Sequence, residues 1–322
     1  MKICVIGGGS WGTAFSLLLA ERGHEVTLAC RDPEQARAIV ATGRNPRHLS
    51  DADVSGIAAV ALAEADLTGA DLLALAVPTR AFARAVAKLP PDLPVLSLTK
   101  GLDPASGNRL STLLEGRPAA VLSGPNFARE IAAGLPAAAV IASEDENFAV
   151  ELQHAINSLV FRVYVNTDLI GVELCAAAKN VMALAAGAVD GLGFGDNAKA
   201  ALITRGLAEI VRLGVAMGAD ALTFSGLSGL GDLIATCGSP LSRNHRAGKL
   251  LAGGLSVASV QAAIGEVIEG IETTAAAQAL ACLHRVEMPI TQQLYEVLYD
   301  GRSPREAAAS LMQRELTDEP PI

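Results

Sequence analysis

Residues 2–14, KICVIGGGSWGTA, constrain the fold of this chain more than any other stretch. Lys2 to Ile6 is a short apolar run rich in β-branched residues, the pattern of a buried strand. It runs straight into Gly7-Gly8-Gly9-Ser10-Trp11-Gly12 and then into helix-compatible sequence that ends near Gly23. A second apolar run, Glu25–Cys30, follows at the interval that a strand–helix–strand unit needs. Glycines at 7, 9 and 12 match the G-x-G-x-x-G spacing of a dinucleotide-binding turn. In that motif the first glycine permits the tight turn, the second lets the backbone approach a pyrophosphate, and the third lets helix and strand pack closely. The helix N-terminus then offers unpaired N–H groups and the positive end of its dipole to the phosphates. The motif makes Gly9, Ser10, Trp11 and Gly12 candidate cofactor contacts.

The same alternation continues to about residue 165. Candidate strands are Ile3–Ile6, Glu25–Cys30, Ile57–Ala61, Leu72–Val77, Val95–Thr99, Ala120–Ser123, Ala138–Ile141 and Phe161–Tyr164, with helical segments between most of them. Such a pattern predicts a mainly parallel, doubly wound sheet, with strict parallel order open for the later strands. After about Asn166, β-branched runs nearly vanish and alanine-rich helical segments take over. They are expected over 171–188, 198–217, 256–264, 273–283, 291–298 and 303–312. The fold class is therefore α/β, a Rossmann-type domain over 1–165 followed by an all-helical domain over 166–322. The tail 317–322, with Pro320 and Pro321, is expected to fray.

Composition limits what such a chain does. Half of its residues are apolar and only 3% aromatic, consistent with a large, closely packed core. A net charge of −9 argues against a broad nucleic-acid surface while leaving room for a local basic pocket. The five cysteines are scattered, odd in number and without a CxxC pair, which suits a reduced, cytoplasmic compartment. Met1 leads directly into a strand, so no signal peptide is expected. Charges interrupt the longest apolar stretches, so no transmembrane helix or membrane insertion is expected. The His, Cys and carboxylate residues show no metal-ligand spacing, and no metal is expected.

In an open parallel sheet, ligands bind outside the carboxyl ends of the strands. The residues there are Gly7–Gly12, Arg31, Pro78, Lys100-Gly101 and Gly124-Pro125-Asn126. Arg31 stands where an NAD-specific site usually carries a carboxylate, and a guanidinium suits the 2′-phosphate of NADPH. Asp32, the next residue, is the alternative reader of a ribose 2′-hydroxyl. NADPH is expected over NADH. Lys100 can reach either a cofactor or a phosphorylated substrate.

Lys179 lies in an otherwise apolar helical segment. Either it snorkels to solvent, or it is desolvated, which lowers its pKa and lets it exchange a proton with an alcohol or carbonyl oxygen. Asp232, a lone carboxylate in a glycine-rich stretch, is a candidate helix cap, a partner that orients Lys179, or an acceptor for a substrate hydroxyl. Ser242, Arg243 and Asn244 offer a hydroxyl, a guanidinium and an amide in succession, a set suited to a phosphate monoester. His245 and Arg246 add local positive character. Glu269 can accept from a nicotinamide carboxamide or a ribose.

Together these segments resemble the prokaryotic NAD(P)-dependent sn-glycerol-3-phosphate dehydrogenases. The resemblance runs from Lys2 to about Met312. It is carried by GGGSWGTA (7–14), SLTKGLD (97–103), SGPNFARE (123–130), the block from Ala176 to Glu209, GLSGLGDLIATC (226–237), PLSRNHRAG (240–248) and VIEGIETT (267–274). It implies reversible hydride transfer between NAD(P)H and dihydroxyacetone phosphate, with Lys179 as the acid/base at the C2 oxygen. It implies substrate contacts from Lys100, Gly124, Asn126, Lys179, Asp232, Ser242, Arg243 and Asn244. It implies cofactor contacts from Ser10, Trp11, Arg31, Lys100, Ala128, Arg243, Val267 and Glu269. A soluble homodimer feeding glycerophospholipid synthesis is the family's expectation. Two positions depart from the family. Residue 126, commonly Ser or Thr, is Asn126, whose amide still donates but with a different reach. Residue 8, usually Ala, is Gly, which is sterically harmless. The competing readings are another β-hydroxyacid dehydrogenase of the 6-phosphogluconate type and a non-catalytic NADPH-binding sensor. The joint presence of Lys100, Lys179, Asp232 and Arg243 argues against the second.

Overall fold

The computed structural model describes residues 1–315. The expectation for 317–322 lies outside the described residues. Contacts divide the chain into two compact units. The first comprises Met1–Thr99 and Leu110–Leu169. The second comprises Lys100–Arg109 and the chain from Ile170 onward. The short segment 100–109 thus groups with the helices, although it follows directly on a strand.

The first unit holds eight strands: β1 (Lys2–Ile6), β2 (Glu25–Cys30), β3 (Ala58–Ala61), β4 (Leu72–Leu75), β5 (Val95–Ser97), β6 (Ala119–Ser123), β7 (Ala137–Ala142) and β8 (Phe161–Asn166). They form one sheet in the order β3-β2-β1-β4-β5-β6-β7-β8. All neighbouring pairs are parallel except β6 and β7, where Val121 opposes Ala142. The order reverses between β1 and β4, which makes the topological switch point where an open sheet binds ligands. The strands carry apolar residues on both faces because helices cover both. These helices are α1 (Ser10–Glu21), α2 (Pro33–Thr42), α3 (Thr79–Val86), α4 (Ala128–Ala132) and α5 (Glu146–Ile156). One core layer gathers Phe15, Leu28, Leu96, Leu122 and Phe161, the other Cys4, Leu73, Phe82 and Leu110. Strand β4 stops two residues before the expected Val77: Ala76 N–H still donates to the Ile6 carbonyl at 2.9 Å, and Pro78 then turns the chain into α3.

The second unit is helical: α6 (Leu169–Leu192), α7 (Gly195–Ala216), α8 (Asp232–Gly238), α9 (Arg243–Ala252), α10 (Val257–Ile264), α11 (Glu269–His284), α12 (Pro289–Tyr299) and α13 (Pro304–Met312). All six expected helices are there, each within a few residues of its expected bounds. Helices α8 and α9 are additional. The reason α9 escapes a periodicity reading is physical. Its buried face carries Asn244, His245, Ala247, Gly248 and Leu251, so glycine and amide stand where apolar side chains are usual. A Cβ on Gly248 would lie 1.9 Å from the Leu184 carbonyl oxygen, so α9 packs backbone to backbone on α6. Helix α6 is long and apolar enough, by length and composition, to cross a membrane, although Glu173, Lys179 and Asp190 interrupt it. Its apolar window is 94% buried inside the protein, which makes it the central helix of its unit.

Candidate functional site

In the first unit, the glycine turn stands at the carboxyl end of β1, beside the switch point. Gly7 has φ +125°, a conformation that favours glycine, and a Cβ there would lie 2.3 Å from the Ala76 carbonyl oxygen. A Cβ on Gly12 would lie 2.0 Å from the Gly7 carbonyl oxygen. The protein's own packing therefore demands glycine at both places. Gly9 differs. Its backbone is ordinary extended chain (φ −75°), and a Cβ built there meets no atom within 4 Å. Neither strain nor packing requires glycine at 9, and the room it leaves faces away from the protein's own atoms. No side chain caps α1, and no acidic residue sits in its first turn. The Trp11 Nε1 is buried and has no hydrogen-bond partner among the described residues. Open space at Gly9, uncapped helix amides and an unpartnered indole N–H fit a dinucleotide.

Two residues that the sequence reading did not single out hold this turn. The side chains of Gln35 and Asn45 both donate to the Gly8 carbonyl, at 2.6 and 3.0 Å. Asn45, fully buried, also donates to Thr13 Oγ1 at 2.8 Å. A Cβ on Gly8 would sit 2.6 Å from Cys30 Sγ and 3.1 Å from the Gln35 amide. Glycine at 8 is therefore matched to Cys30 and Gln35, which occupy the space an alanine would take. Amides tens of residues downstream leave no local sequence signal, and only the fold brings them here.

At the end of β2, Arg31 is exposed, and its guanidinium is paired with no carboxylate among the described residues. Asp32 caps α2: its Oδ1 accepts from Glu34 N–H at 2.9 Å and its Oδ2 lies 2.6 Å from Arg47 Nη1. The cap hydrogen bond first, and then Arg47, hold its carboxyl below the usual range. At the end of β6, Gly124 has φ +132°. Asn126 Nδ2 donates to the Ala138 carbonyl at 3.1 Å, which leaves its Oδ1 buried and without a partner among the described residues. A carbonyl only accepts, so the amide nitrogen is the end facing it. The free end of Asn126 is thus an acceptor, where a Ser or Thr would present a hydroxyl. Ala128 opens α4, packed against the core.

In the second unit, Lys179 does not snorkel. It is 6% exposed, on α6, with Nζ 2.5 Å from Asp232 Oδ1 and 3.1 Å from Thr236 Oγ1. Asp232 is not the cap of α8, a place held by Gly231, but its first residue, preceded by a π-helical turn over Leu227–Gly231. Its second oxygen, Oδ2, accepts from Lys100 Nζ at 3.0 Å, and Thr236, one turn on, donates to Oδ1 at 3.1 Å. One carboxylate thus serves two ammonium groups. Burial pushes the Lys179 pKa down. Asp232 works against this, Lys100 adds to it, and the result is about 7. Asp232 itself is held low: burial would raise it, but Lys100 and Lys179 outweigh burial. Since Asp232 is shared, it is an incomplete counterion to Lys179, and the lowered amine is the direction that follows.

The backbone of Lys100 is braced as well. Asn180 Nδ2 donates to the Lys100 carbonyl at 3.4 Å, and Asn244 Nδ2 donates to Asn180 Oδ1 at 2.9 Å. Asn244 Oδ1 accepts from Gly270 N–H at 3.0 Å. Arg109 Nη1 binds Glu173 Oε2 at 2.9 Å and ties the other end of the 100–109 segment to α6. Ser242 caps α9, accepting from His245 N–H at 3.2 Å. The triplet Ser242-Arg243-Asn244 is thus spread around a helix start: Ser242 and Asn244 are buried, and Arg243 is open to solvent in a pair with Glu266 at 3.2 Å. The turn does not bring the three into one open set. His245 is buried against Asp190, which also binds Lys199. Val267 and Glu269 are half-buried at the start of α11. Thr236 was not foreseen. A helix over 232–238 would have signalled it, since residues four apart share a face.

Comparisons with known proteins agree with this geometry. A family model described as the N-terminus of NAD-dependent glycerol-3-phosphate dehydrogenase matches residues 2–149, and one for the C-terminus matches residues 168–309. The glycerol-3-phosphate dehydrogenase (NAD(P)+) of Moorella thermoacetica is 49% identical, over 99% of this chain and 97% of that protein. The enzyme of the same name from Nocardia farcinica is 47% identical, over 99% of both. Among solved structures, glycerol-3-phosphate dehydrogenase from Coxiella burnetii superposes with a TM-score of 0.93 at 39% identity, over 97% of this chain and 99% of that one.

Proposed function

Since the chain belongs to the NAD-dependent glycerol-3-phosphate dehydrogenase family, we propose that it reversibly reduces dihydroxyacetone phosphate to sn-glycerol 3-phosphate with NADPH or NADH. The observation that carries the chemistry is Lys179, buried and sharing Asp232 with Lys100. A ketone that gains hydride at carbon needs a proton at oxygen, and an amine titrating near neutrality gives and takes one at physiological pH. Asp232 orients the Lys179 amine and keeps part of its charge. Thr236 fixes the direction of Nζ. Lys100 offers its ammonium to a phosphorylated substrate.

The nicotinamide cofactor, when bound, supplies or accepts the hydride. Gly9, Ser10, Trp11 and Gly12 would hold its phosphates through backbone amides, and Arg31 its 2′-phosphate. Ala128, Arg243, Val267 and Glu269, with Lys100, complete the proposed cofactor contacts. Gly124, Asn126, Ser242, Arg243 and Asn244 complete the proposed substrate contacts. Arg243 is the member of its triplet best placed to meet an anion, because its pair with Glu266 is solvent-screened and easily exchanged. Ser242 and Asn244 act chiefly by fixing the start of α9. The enzyme acts as a cytoplasmic homodimer that supplies glycerol phosphate for lipid synthesis.

The test is absorbance at the reduced-nicotinamide band with dihydroxyacetone phosphate and either cofactor. Oxidation that requires the phosphorylated ketone is expected. Cofactor binding without turnover on this ketone, but with turnover on a hydroxyacid, would transfer the chain to the 6-phosphogluconate-type reading.

A further inference from the structure

We propose that Arg47 sets the choice between NADPH and NADH, by holding the Asp32 carboxylate away from the ribose and by adding a second guanidinium beside Arg31 for the 2′-phosphate. The proposal rests on the reading that the glycine turn holds a dinucleotide. At the end of β2, two adjacent residues would ask for opposite cofactors. Arg31 suits a 2′-phosphate and Asp32 suits a 2′-hydroxyl. The geometry decides between them. Both oxygens of Asp32 are engaged, Oδ1 by the Glu34 amide at the start of α2 and Oδ2 by Arg47 at 2.6 Å. Each oxygen already has a donor that fixes the carboxylate toward α2 and Arg47, and the Arg47 guanidinium offsets the negative charge that would repel a phosphate. Arg31 remains exposed at the same strand end.

Arg47 does not reach Asp32 from a loose loop. It lies between two anchored backbone positions. Asn45 is buried under the glycine turn through Gly8 and Thr13, and His48 N–H donates to Asn45 Oδ1 at 3.3 Å. The amide that holds the pyrophosphate turn therefore also sets the position of Arg47. The Arg47 side chain is more than half exposed, so its guanidinium can meet an incoming anion without leaving the Asp32 side of the loop. A guanidinium has donors enough for a carboxylate and a phosphate at once.

The test is calorimetric binding of adenosine 2′,5′-bisphosphate and adenosine 5′-monophosphate, which needs neither substrate nor turnover. Arg47→Gln is expected to weaken the bisphosphate about tenfold and to leave the monophosphate unchanged or slightly tighter. Arg47→Lys, which keeps the charge and loses the fork, should fall between. Asp32→Asn keeps a capping oxygen, removes the negative charge and frees Arg47, so the bisphosphate should bind several-fold tighter. Equal weakening of both ligands by Arg47→Gln, no change in either, or weaker bisphosphate binding by Asp32→Asn would overturn the proposal. Absence of binding by the unmodified protein to either adenylate would overturn the dinucleotide reading along with it. Adenylate discrimination by Arg47 in a protein that does not turn over dihydroxyacetone phosphate would uphold this inference and remove only the proposed reaction.

Discussion

The glycine turn of the first unit and the lysine centre of the second work by opposite means. The turn is built by leaving side chains out: Gly9 opens space and α1 presents bare amides. Its parts lie within six residues of sequence, and it is preorganised by backbone packing at Gly7 and Gly12. The lysine centre instead crowds charge. Lys100, Lys179, Asp232 and Thr236 converge from a short segment, the central helix and α8, and each charge is tolerable only because another answers it. A site built from backbone is robust to loss of neighbouring side chains. One built from buried charges fails when one member is lost.

That contrast can be broken most forcefully at Asp232. Asp232→Ala strands two ammonium groups in the core and should cost about 3–5 kcal/mol. The cost should be larger at pH 6 than at pH 9, because the Lys179 ammonium can shed its proton at the higher pH. Thermal melts at the two pH values check this, and a loss independent of pH would mean that Asp232 does not compensate Lys179. In the turn, Gly12→Ala forces a Cβ into the Gly7 carbonyl and should cost about 1–3 kcal/mol of stability. Gly9→Ala should leave the melting temperature unchanged yet weaken NADPH binding about tenfold or more, since the new methyl meets only the ligand. Equal effects of the two on stability would erase the distinction between packing glycine and ligand glycine.

A smaller effect belongs to Glu209, a buried carboxylate on α7 that accepts from the Ile290 and Thr291 amides at the start of α12, at 2.6 and 3.2 Å. Burial raises its pKa from 4.5 to about 7, and the α12 hydrogen bonds pull the other way. The folded value lies above the unfolded one. Its contribution is therefore complete below about pH 4.5 and is lost as pH rises through about 7. Lys179 has the opposite sign: its folded value, about 7, lies below its unfolded 10.5, so its share of stability rises with pH between those values. Glu209→Gln should flatten the stability curve between pH 4.5 and 7 and leave the rise above 7. A variant with an unchanged acid limb would assign that limb to other groups.

Much of this was legible in the sequence for one reason: strand, glycine turn and helix are local. All eight strands, the glycine turn and Arg31 at its strand end follow from residues read in order. The helices whose burial is carried by aliphatic residues were legible too. Helix α9 was not, because glycine and amides form its packing face. The antiparallel turn of β7 was left open because pairing direction is not written in a single strand. Lys179 stood out as a charge in an apolar helix. Its alternative fates, solvent or burial, depend on α8, and α8 is concealed in a glycine-rich stretch. Asn45, Gln35 and Arg47 were invisible for the same reason as Thr236. Their roles exist only through partners distant in sequence or on a helix not yet recognised.

The proposed reaction requires the buried Lys179 amine as the proton donor. The direct measurement is single-turnover ketone reduction by Lys179→Ala beside its NADPH affinity, with the wild-type pH profile in both directions as reference. Wild-type reduction should fall, and alcohol oxidation rise, as pH passes through about 7. In Lys179→Ala, Asp232 keeps Lys100 as its partner, so NADPH should bind as before while the rate drops by about 10²–10⁴. Near-normal turnover in that variant, with the pH profiles unchanged, would remove Lys179 from the chemistry and contradict the account.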